Sequence, residues 1–554
     1  MNAERLLQHY EQIADAPDAV ARLRRFVLDL AVRGKLVPQD PADEPVSTAL
    51  RQTNTRGWSD GAFTLPASWA WVDVAAVAEA RLGKMLDKAK NKGVPRPYLR
   101  NINVRWFDFD LSDLQDMPFE DTELAEFALR AGDVLICEGG EPGRAAVWDE
   151  RARGVYFQKA IHRVRFTQFV NSTFFAYALK ASANDGRLAK SFTGTGIKHF
   201  TGKGLSGYRF PLPPLAEQHR IVAKIDELMA LCDELEAART EREVKRDRVA
   251  AASLARLSNP DPETFRHDAR FALDALPALT ARPDQIKQLR QTILNLAVRG
   301  KLVPQDAAEE PVKELLRRIE ADRQMVRRKV ETEGASKSGP FDLPGGWMWT
   351  TIGSVCSKTG SGSTPRGGKE VYADHGIPFL RSQNVHNDGL RLNDVAYIAP
   401  EVHLRMAGTA VKASDLLLNI TGGSMGRCCL VPDQFGEANI SQHVAIIRPV
   451  VSMMAHYLHC LVLSPYFQAF IFDEQTGAGR GGLPKNRMDQ IAVPLPPLAE
   501  QHRIVSKVDE LTALCDQLET SLASADETRK KLLNALLAEA LAPVDAEKLR
   551  EAAE

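Results

Sequence analysis

The chain has 554 residues, with 71 Lys and Arg against 72 Asp and Glu, a formal net charge of −1. Hydrophobic residues make up 44% and charged residues 26%, the balance of a folded globular protein, which excludes collagen-like and wholly disordered chains. Near-zero net charge also excludes a uniformly basic, histone-like nucleic-acid binder, though it leaves room for local basic patches.

In chain order, the first legible element is LRRFVLDLAVRGKLVPQDPADEP at residues 23–45. Leu23, Val27 and Leu30 share a helical face, Gly34 suits a left-handed cap and Pro38 a stop. Residues 60–210 follow, with a Trp pair (Trp69 and Trp71) read as core and short β-type runs such as Val134-Leu-Ile136 between Gly-rich turns. At 211–236 the chain reads PLPPLAEQHRIVAKIDELMALCDELE. The prolines suit a helix start and Glu217 its positive end. Ile221, Ile225, Leu228, Cys232 and Leu235 then recur in steps of four and three, which predicts a coiled-coil seam on a helix of about 35–40 residues. Residues 258–284, with Pro260, Pro262, Pro277 and Pro283, read as a connector.

The chain then repeats itself. Residues 289–311 match residues 23–45 at 17 of 23 positions, and residues 494–519 match residues 211–236 at 22 of 26. Residues 312–333 predict a charged helix that is shorter in the first copy. The intervening segments, 60–210 and 340–493, have diverged but keep short motifs in order. Trp347 and Trp349 repeat the Trp pair. Phe379-Leu-Arg-Ser-Gln-Asn-Val385 repeats Tyr98-Leu-Arg-Asn-Ile-Asn-Val104. Asp415-Leu-Leu-Leu418 repeats Asp133-Val-Leu-Ile136, Gly426-Arg427 repeats Gly143-Arg144, and Thr476-Gly-Ala-Gly479 repeats Thr193-Gly-Thr-Gly196.

The expected fold class is mixed α+β. Two globular α/β domains alternate with two long helices packed as an antiparallel coiled coil, all related by a pseudo-twofold internal repeat. The expected parts are a helical region at 1–50, a first globular domain at 51–210 and a central helix at 211–257. A connector with the second helical copy (258–339), a second globular domain (340–493) and a C-terminal helix (494–554) complete the set.

Catalytic and cofactor signatures are missing from the sequence. It has no phosphate-binding G-x-x-x-x-G-K-[ST] loop, no H-E-x-x-H, no G-x-S-x-G and no Asn/Asp-Pro-Pro-aromatic methyltransferase motif. The seven cysteines have no C-x-x-C spacing, which argues against a disulfide framework or zinc ribbon and for a reducing compartment. No run of about 18 apolar residues predicts a membrane span, and residues 1–12 lack a signal-peptide core, so a cytoplasmic protein without a membrane partner is expected. His219 and His502, at matching places, are expected to be polar helix-face or partner contacts rather than catalytic bases.

Local charge points elsewhere. Residues 81–105 carry eight cations against Asp87 alone, and residues 186–209 carry five with no acid. Both read as loops that present cations to a phosphate backbone. The candidate DNA contacts in the first domain are Lys84, Lys88, Lys90, Lys92, Arg100, Asn103, Lys198 and Lys203. In the second domain they are Arg366, Lys369, Arg381, Asn384, Arg480, Lys485 and Arg487. Arg100 with Asn103, and Arg381 with Asn384, suit guanine, phosphate or adenine contacts, although Asn equally suits a turn cap.

The PLPPLAEQHRIV…KIDEL…CDELE and RGKLVPQD…EP elements, each found twice, resemble the specificity subunit of Type I restriction–modification systems, over nearly the whole chain. The resemblance implies two target-recognition domains that read a bipartite, non-palindromic site in double-stranded DNA. It implies repeated helices that dock two methyltransferase subunits, with a restriction and translocase subunit joining through them. It implies no catalysis and no cofactor in this chain, with S-adenosylmethionine, ATP and Mg on the partners. The alternatives are a chain that itself methylates or cuts DNA, and a coiled-coil scaffold that binds only proteins.

Overall fold

A computed structural model of the chain describes residues 15–16, 18–52, 61–87, 89, 91–258, 261, 263–326, 339–473 and 482–541. The described residues form two compact units. One comprises those up to Arg242 together with those from Asp526 on; the other is Glu243–Ala525. Both mix helices and strands.

In the first unit, helix α1 (Ala19–Val32) buries Val27, Leu28, Ala31 and Val32. It ends at Gly34 with φ 67°, where the Lys35 amide reaches back to the Leu30 carbonyl at 2.9 Å. This is a left-handed glycine cap. A Cβ on Gly34 would lie 2.5 Å from Pro66 Cγ, so backbone and space both demand glycine.

The strands of this unit are β1 (Ala70–Asp73), β2 (Ala78–Leu82), β3 (Val94–Leu99), β4 (Gln115–Phe119), β5 (Val134–Cys137), β6 (Ala145–Val147), β7 (Tyr156–Phe157), β8 (Ile161–Phe166) and β9 (Arg209–Leu212). They form an antiparallel sheet in the order β2-β8-β5-β6, a smaller sheet β4-β3-β7, and a two-stranded ribbon β1-β9. All four residues of β5 are buried, because both of its faces are covered. Val134 and Ile136 meet Phe175 and Leu179 of helix α2 (Ser172–Asn184), whereas Leu135 and Cys137 face Tyr98, Leu99 and Phe157 of the smaller sheet. Helix α2 starts at Asn171, whose Oδ1 accepts from the amides of Thr173 and Phe174.

Helix α3 (Leu215–Ser258, 44 residues) follows the prolines. Its first seam residues, Ile221 and Ile225, pack with α1 and α2 around Trp69. The cover of these turns is the unit's own helices. Arg24 of α1 pairs with Asp233 and Glu236 of α3.

The second unit repeats this plan. Helix α4 (Pro283–Val298) ends at Gly300 with φ 65°, with the Lys301 amide on the Leu296 carbonyl, and helix α5 (Val312–Val326) follows. Its main strands are β10 (Met348–Thr351), β11 (Cys356–Ser361), β12 (Ile377–Leu380), β13 (Ala396–Ile398), β14 (Leu416–Asn419), β15 (Cys428–Leu430), β16 (Asn439–Ile440), β17 (Val444–Pro449) and β18 (Ala492–Leu495). The order β11-β17-β14-β15 matches the larger sheet of the first unit, β13-β12-β16 matches the smaller one with a short strand, Tyr372–Ala373, added beside β13, and β10-β18 matches the ribbon; Val385–His386 and Gly389–Leu390 form an extra hairpin. Helix α6 (Ala455–Leu463) takes the place of α2. Helix α7 (Leu498–Leu541, 44 residues) buries Ile504, Val508 and Cys515 against α4 and α6. The last turns of α7 belong to the first unit, where Leu533 and Leu536 pack on Ala16 and Ala19, and Arg22 donates to Asn534 Oδ1 at 2.6 Å.

The Asp motif shared by the two domains is explained by one ion pair. Asp133 is 1% exposed and takes a two-pronged contact from Arg165 at 2.7 and 2.8 Å; Asp415, 0% exposed, takes the same contact from Arg448 at 2.6 and 2.7 Å. All seven cysteines are buried and unpaired.

Candidate nucleic-acid interface

The repeated motifs meet in a buried carboxylate joint, built twice. Glu217, 1% exposed, accepts from Trp69 Nε1 at 2.9 Å and from Gln39 Nε2 at 2.5 Å. Glu500, also 1% exposed, accepts from Trp347 Nε1 at 3.0 Å and Gln305 Nε2 at 3.1 Å. The neighbouring Gln218 and Gln501 donate to the carbonyls of Pro213 and Pro496. Arg220 pairs with Asp43, and Arg503 with Glu309. The Gln of RGKLVPQ, the first Trp of each domain and the Glu of PLPPLAE are thus three parts of one fixture, so the motifs recur as a set. Burial pushes the Glu217 and Glu500 carboxyls upward, against the pull of their hydrogen bonds. His219 meets the Asn171 side chain at 3.2 Å, a polar partner contact as expected.

At one rim of the larger sheet in the first domain, four loops are knitted together by main-chain bonds. The Gly83 amide donates to Ile161 O at 3.0 Å, Lys84 N to Phe157 O at 3.1 Å, Glu138 N to Ala160 O at 2.9 Å and Phe200 N to Glu138 O at 2.8 Å. The second domain reproduces the set: Gly362 N to Val444 O at 2.9 Å, Ser363 N to Ile440 O at 3.3 Å, Ile420 N to His443 O at 3.0 Å and Leu483 N to Ile420 O at 3.0 Å. A Cβ on Gly83 would fall 2.3 Å from Gln158 O, and one on Gly362 2.0 Å from Ile440 O, so both loops cross at glycine contact distance. The mould is shared and its display is not: exposed Glu141, Lys159 and His199 in one rim stand against exposed Gln442 and His443 in the other. Sequence reading noted the Gly-Arg turns as shared motifs without singling out these rim residues, because the loops come together only through sheet pairing.

Several candidate contacts lie at the surface: Lys92, Lys198, Lys203, Arg366 and Arg487 are exposed, with Lys198 Nζ donating to Gly194 O at 2.7 Å. Lys485 is half exposed, pairs with Asp489 and donates to Thr359 Oγ1 at 2.9 Å. Lys88, Lys90 and Arg480 lie outside the described residues, as does the side chain of Lys369.

Three candidate contacts, Lys84, Asn103 and Asn384, are buried and engaged within the domain. Lys84 is 8% exposed, with its ammonium between Glu123 and the Pro118 carbonyl; it is an interior ion pair, not a DNA contact. Asn103, 2% exposed, closes its own loop, with Oδ1 accepting from Arg100 N at 2.8 Å and Nδ2 donating to Asp110 O at 2.9 Å. Asn384, 1% exposed, does the same with Arg381 N at 2.9 Å and Arg391 O at 2.8 Å. These asparagines are turn caps, with their polar atoms engaged by their own loops. Their arginines fold back too: Arg100 Nη2 donates to Asp113 O at 2.9 Å and Oδ2 at 2.6 Å, and Arg381 Nη2 to Asp394 O at 3.2 Å. The basic stretch 81–105 is also less loop-like than expected, since Val94–Leu99 is strand β3.

Among the described residues no group of three or more His, Cys, Asp or Glu could hold a metal ion, and no helix is long and apolar enough to cross a membrane.

Two domains of one topology, set on a duplicated joint and displaying different rim side chains, define a tandem recognition protein. The sequence matches the family described as Type I restriction modification DNA specificity domain over residues 69–246 and again over 344–525. It is 26% identical to the Type I restriction enzyme EcoAI specificity subunit of Escherichia coli, over 93% of each chain. It is 26% identical to the EcoEI specificity subunit of the same organism, over 94% of each. The HsdS subunit from Thermoanaerobacter tengcongensis superposes on 87% of this chain and 99% of its own at 19% identity, with a TM-score of 0.46. The chain belongs to the Type I restriction–modification specificity-subunit family, as a non-catalytic subunit with two DNA-recognition domains.

Proposed function

We propose that the chain reads a bipartite, non-palindromic duplex target, one half-site per domain, and docks two methyltransferase subunits on its repeated helical elements, with a restriction and translocase subunit joining through them. The single observation that carries this reading is the pairing of a joint duplicated almost residue for residue with rims that differ. Identical parts suit two copies of one partner, and unlike rims suit two unlike half-sites. Half-sites read from one face of a duplex lie about one helical turn apart, on the order of 34–36 Å. Methyl transfer and translocation belong to the partners, which would carry S-adenosylmethionine, ATP and Mg. The exposed cations Lys92, Lys198, Lys203, Arg366 and Arg487 are proposed phosphate or base contacts, joined by Lys485, Lys88, Lys90, Lys369 and Arg480. The setting is cytoplasmic.

The test is an exchange. Replacing residues 60–210 with the corresponding domain of another specificity subunit, and mapping methylation of the host genome, should alter one half of the recognised motif and leave the other intact. A change in both halves, or in neither, refutes the modular reading.

A further inference from the structure

The loop at residues 193–199 is an unusual place for an aliphatic side chain. Thr193 and His199 exchange both main-chain hydrogen bonds at 2.9 Å, closing a small hairpin. Gly194 sits at φ 101°, where a Cβ would lie 2.2 Å from Ile197 O, so the tip is tightly folded. Its base is anchored: Phe200 is 0% exposed, its amide donates to Glu138 O, and its carbonyl lies 2.8 Å from His162 Nε2. At the apex, Ile197 is 75% exposed. It is flanked by exposed Lys198 and, past the anchor, by exposed Lys203.

A lone exposed aliphatic residue usually needs no explanation. The comparison within the chain supplies a reason here. Phe200 and Leu483 are both buried, and their amides bond the carbonyls of Glu138 and Ile420, equivalent positions in the two rims. With these anchors in register, TGTGIKHF (193–200) aligns without gaps to TGAGRGGL (476–483), and Ile197 falls opposite Arg480. The same position carries an apolar side chain in one domain and a cation in the other. An apolar side chain at the tip of a firm, cation-flanked hairpin is the design by which proteins part stacked base pairs, while the cations hold the phosphates on either side.

We propose that Ile197 is a wedge that inserts against one base step of the half-site read by the first domain, unstacking it, whereas the half-site of the second domain, whose sequence has Arg480 at the aligned position, stays stacked. This rests on the DNA-reading function proposed above and adds to it an asymmetric distortion of the target. The step that Ile197 opens should be a pyrimidine–purine step, since these unstack most easily.

The test uses the full chain bound to duplexes carrying its target, with 2-aminopurine placed at successive adenines. Fluorescence should rise several-fold at one step of one half-site. Ile197→Ala should abolish that rise, and so should Ile197→Arg, which copies the other domain, while both variants still bind. Because Ile197 makes no core contact, hydrogen exchange of both variants should match the parent chain. Binding with no fluorescence rise in the parent chain, or with the same rise in both variants, overturns the wedge and leaves the DNA-reading function standing. A chain that binds no duplex overturns both.

Discussion

Replacing Trp69 with Phe tests the carboxylate joint, and the double-mutant cycle below separates the lost hydrogen bond from the lost packing. The ring packs edge-on to Phe174, whose centroid lies 6.3 Å away, and the change removes three ring atoms, the indole N–H among them. That N–H is one of two donors to Glu217, which is 1% exposed, so no water can take its place. A hydrogen bond to a charged group contributes about 1.5–3 kcal/mol, and an orphaned buried acceptor costs a similar amount. Trp69→Phe should therefore destabilise the first unit by at least about 1.5–3 kcal/mol, the lost packing adding to the lost hydrogen bond, or lower its Tm by at least roughly 3–12 °C at about 2–4 °C per kcal/mol. Trp347→Phe should do the same to the second unit through Glu500. Denaturant unfolding of the full chain gives the magnitude, and hydrogen exchange gives the place: peptides over 215–230 should lose protection in Trp69→Phe while those over 498–513 keep it. A double-mutant cycle with Glu217→Gln should show a coupling of about 0.5–3 kcal/mol. A Trp69→Phe chain within about 0.5 kcal/mol of the parent would refute the idea that the joint is stabilising.

Burial raises the Glu217 carboxyl, so its folded-state pKa lies above the unfolded value. Its contribution to stability is then fully present below the unfolded pKa and lost as pH rises through the folded one. Glu217→Gln should accordingly gain on the parent chain as pH rises from the ordinary carboxylate range upward, as measured by urea midpoints; a constant difference would contradict the assignment. Lys84→Ala should destabilise the first domain by leaving Glu123 and the Pro118 carbonyl without their cation, yet leave the salt dependence of DNA binding unchanged. Lys198→Ala and Lys203→Ala should instead leave stability unchanged and reduce the slope of log K against log salt by about 1 each. Asn103→Ala and Asn384→Ala should each cost about 1–3 kcal/mol by orphaning the Arg100 or Arg381 amide, while methylation sequencing shows an unrelaxed motif.

The scaffold was legible because its parts occur twice. Gly34 and Gly300, Glu217 and Glu500, and the Asp133 and Asp415 motifs each do one mechanical job in two places, and repetition separates such residues from their surroundings. The unbroken apolar run Val134-Leu-Ile136 was legible as a strand, and it is unbroken because β5 is buried on both faces. The fate of individual cations was not. Lys84 and Arg100 look like Lys92 in sequence, and their difference lies in Glu123 and Asp113, acids 39 and 13 residues away that the fold brings alongside. Strand β3 was hidden by Pro95 and Pro97. It carries them because β3 pairs there on one side only, with β4, and meets β7 only at Tyr98 and Leu99. The rims were hidden because their loops are neighbours only across the sheet.

The ribbons β1-β9 and β10-β18 place the first and last strands of each recognition domain side by side, Ala70 opposite Leu212 and Met348 opposite Leu495. A domain that leaves where it arrives is a cassette, plugged into its frame through a four-residue socket flanked by sequence that the other cassette also carries. Near-identical flanks are where homologous recombination crosses over. If each cassette reads one half-site, as proposed above, one such exchange would give the chain a new specificity.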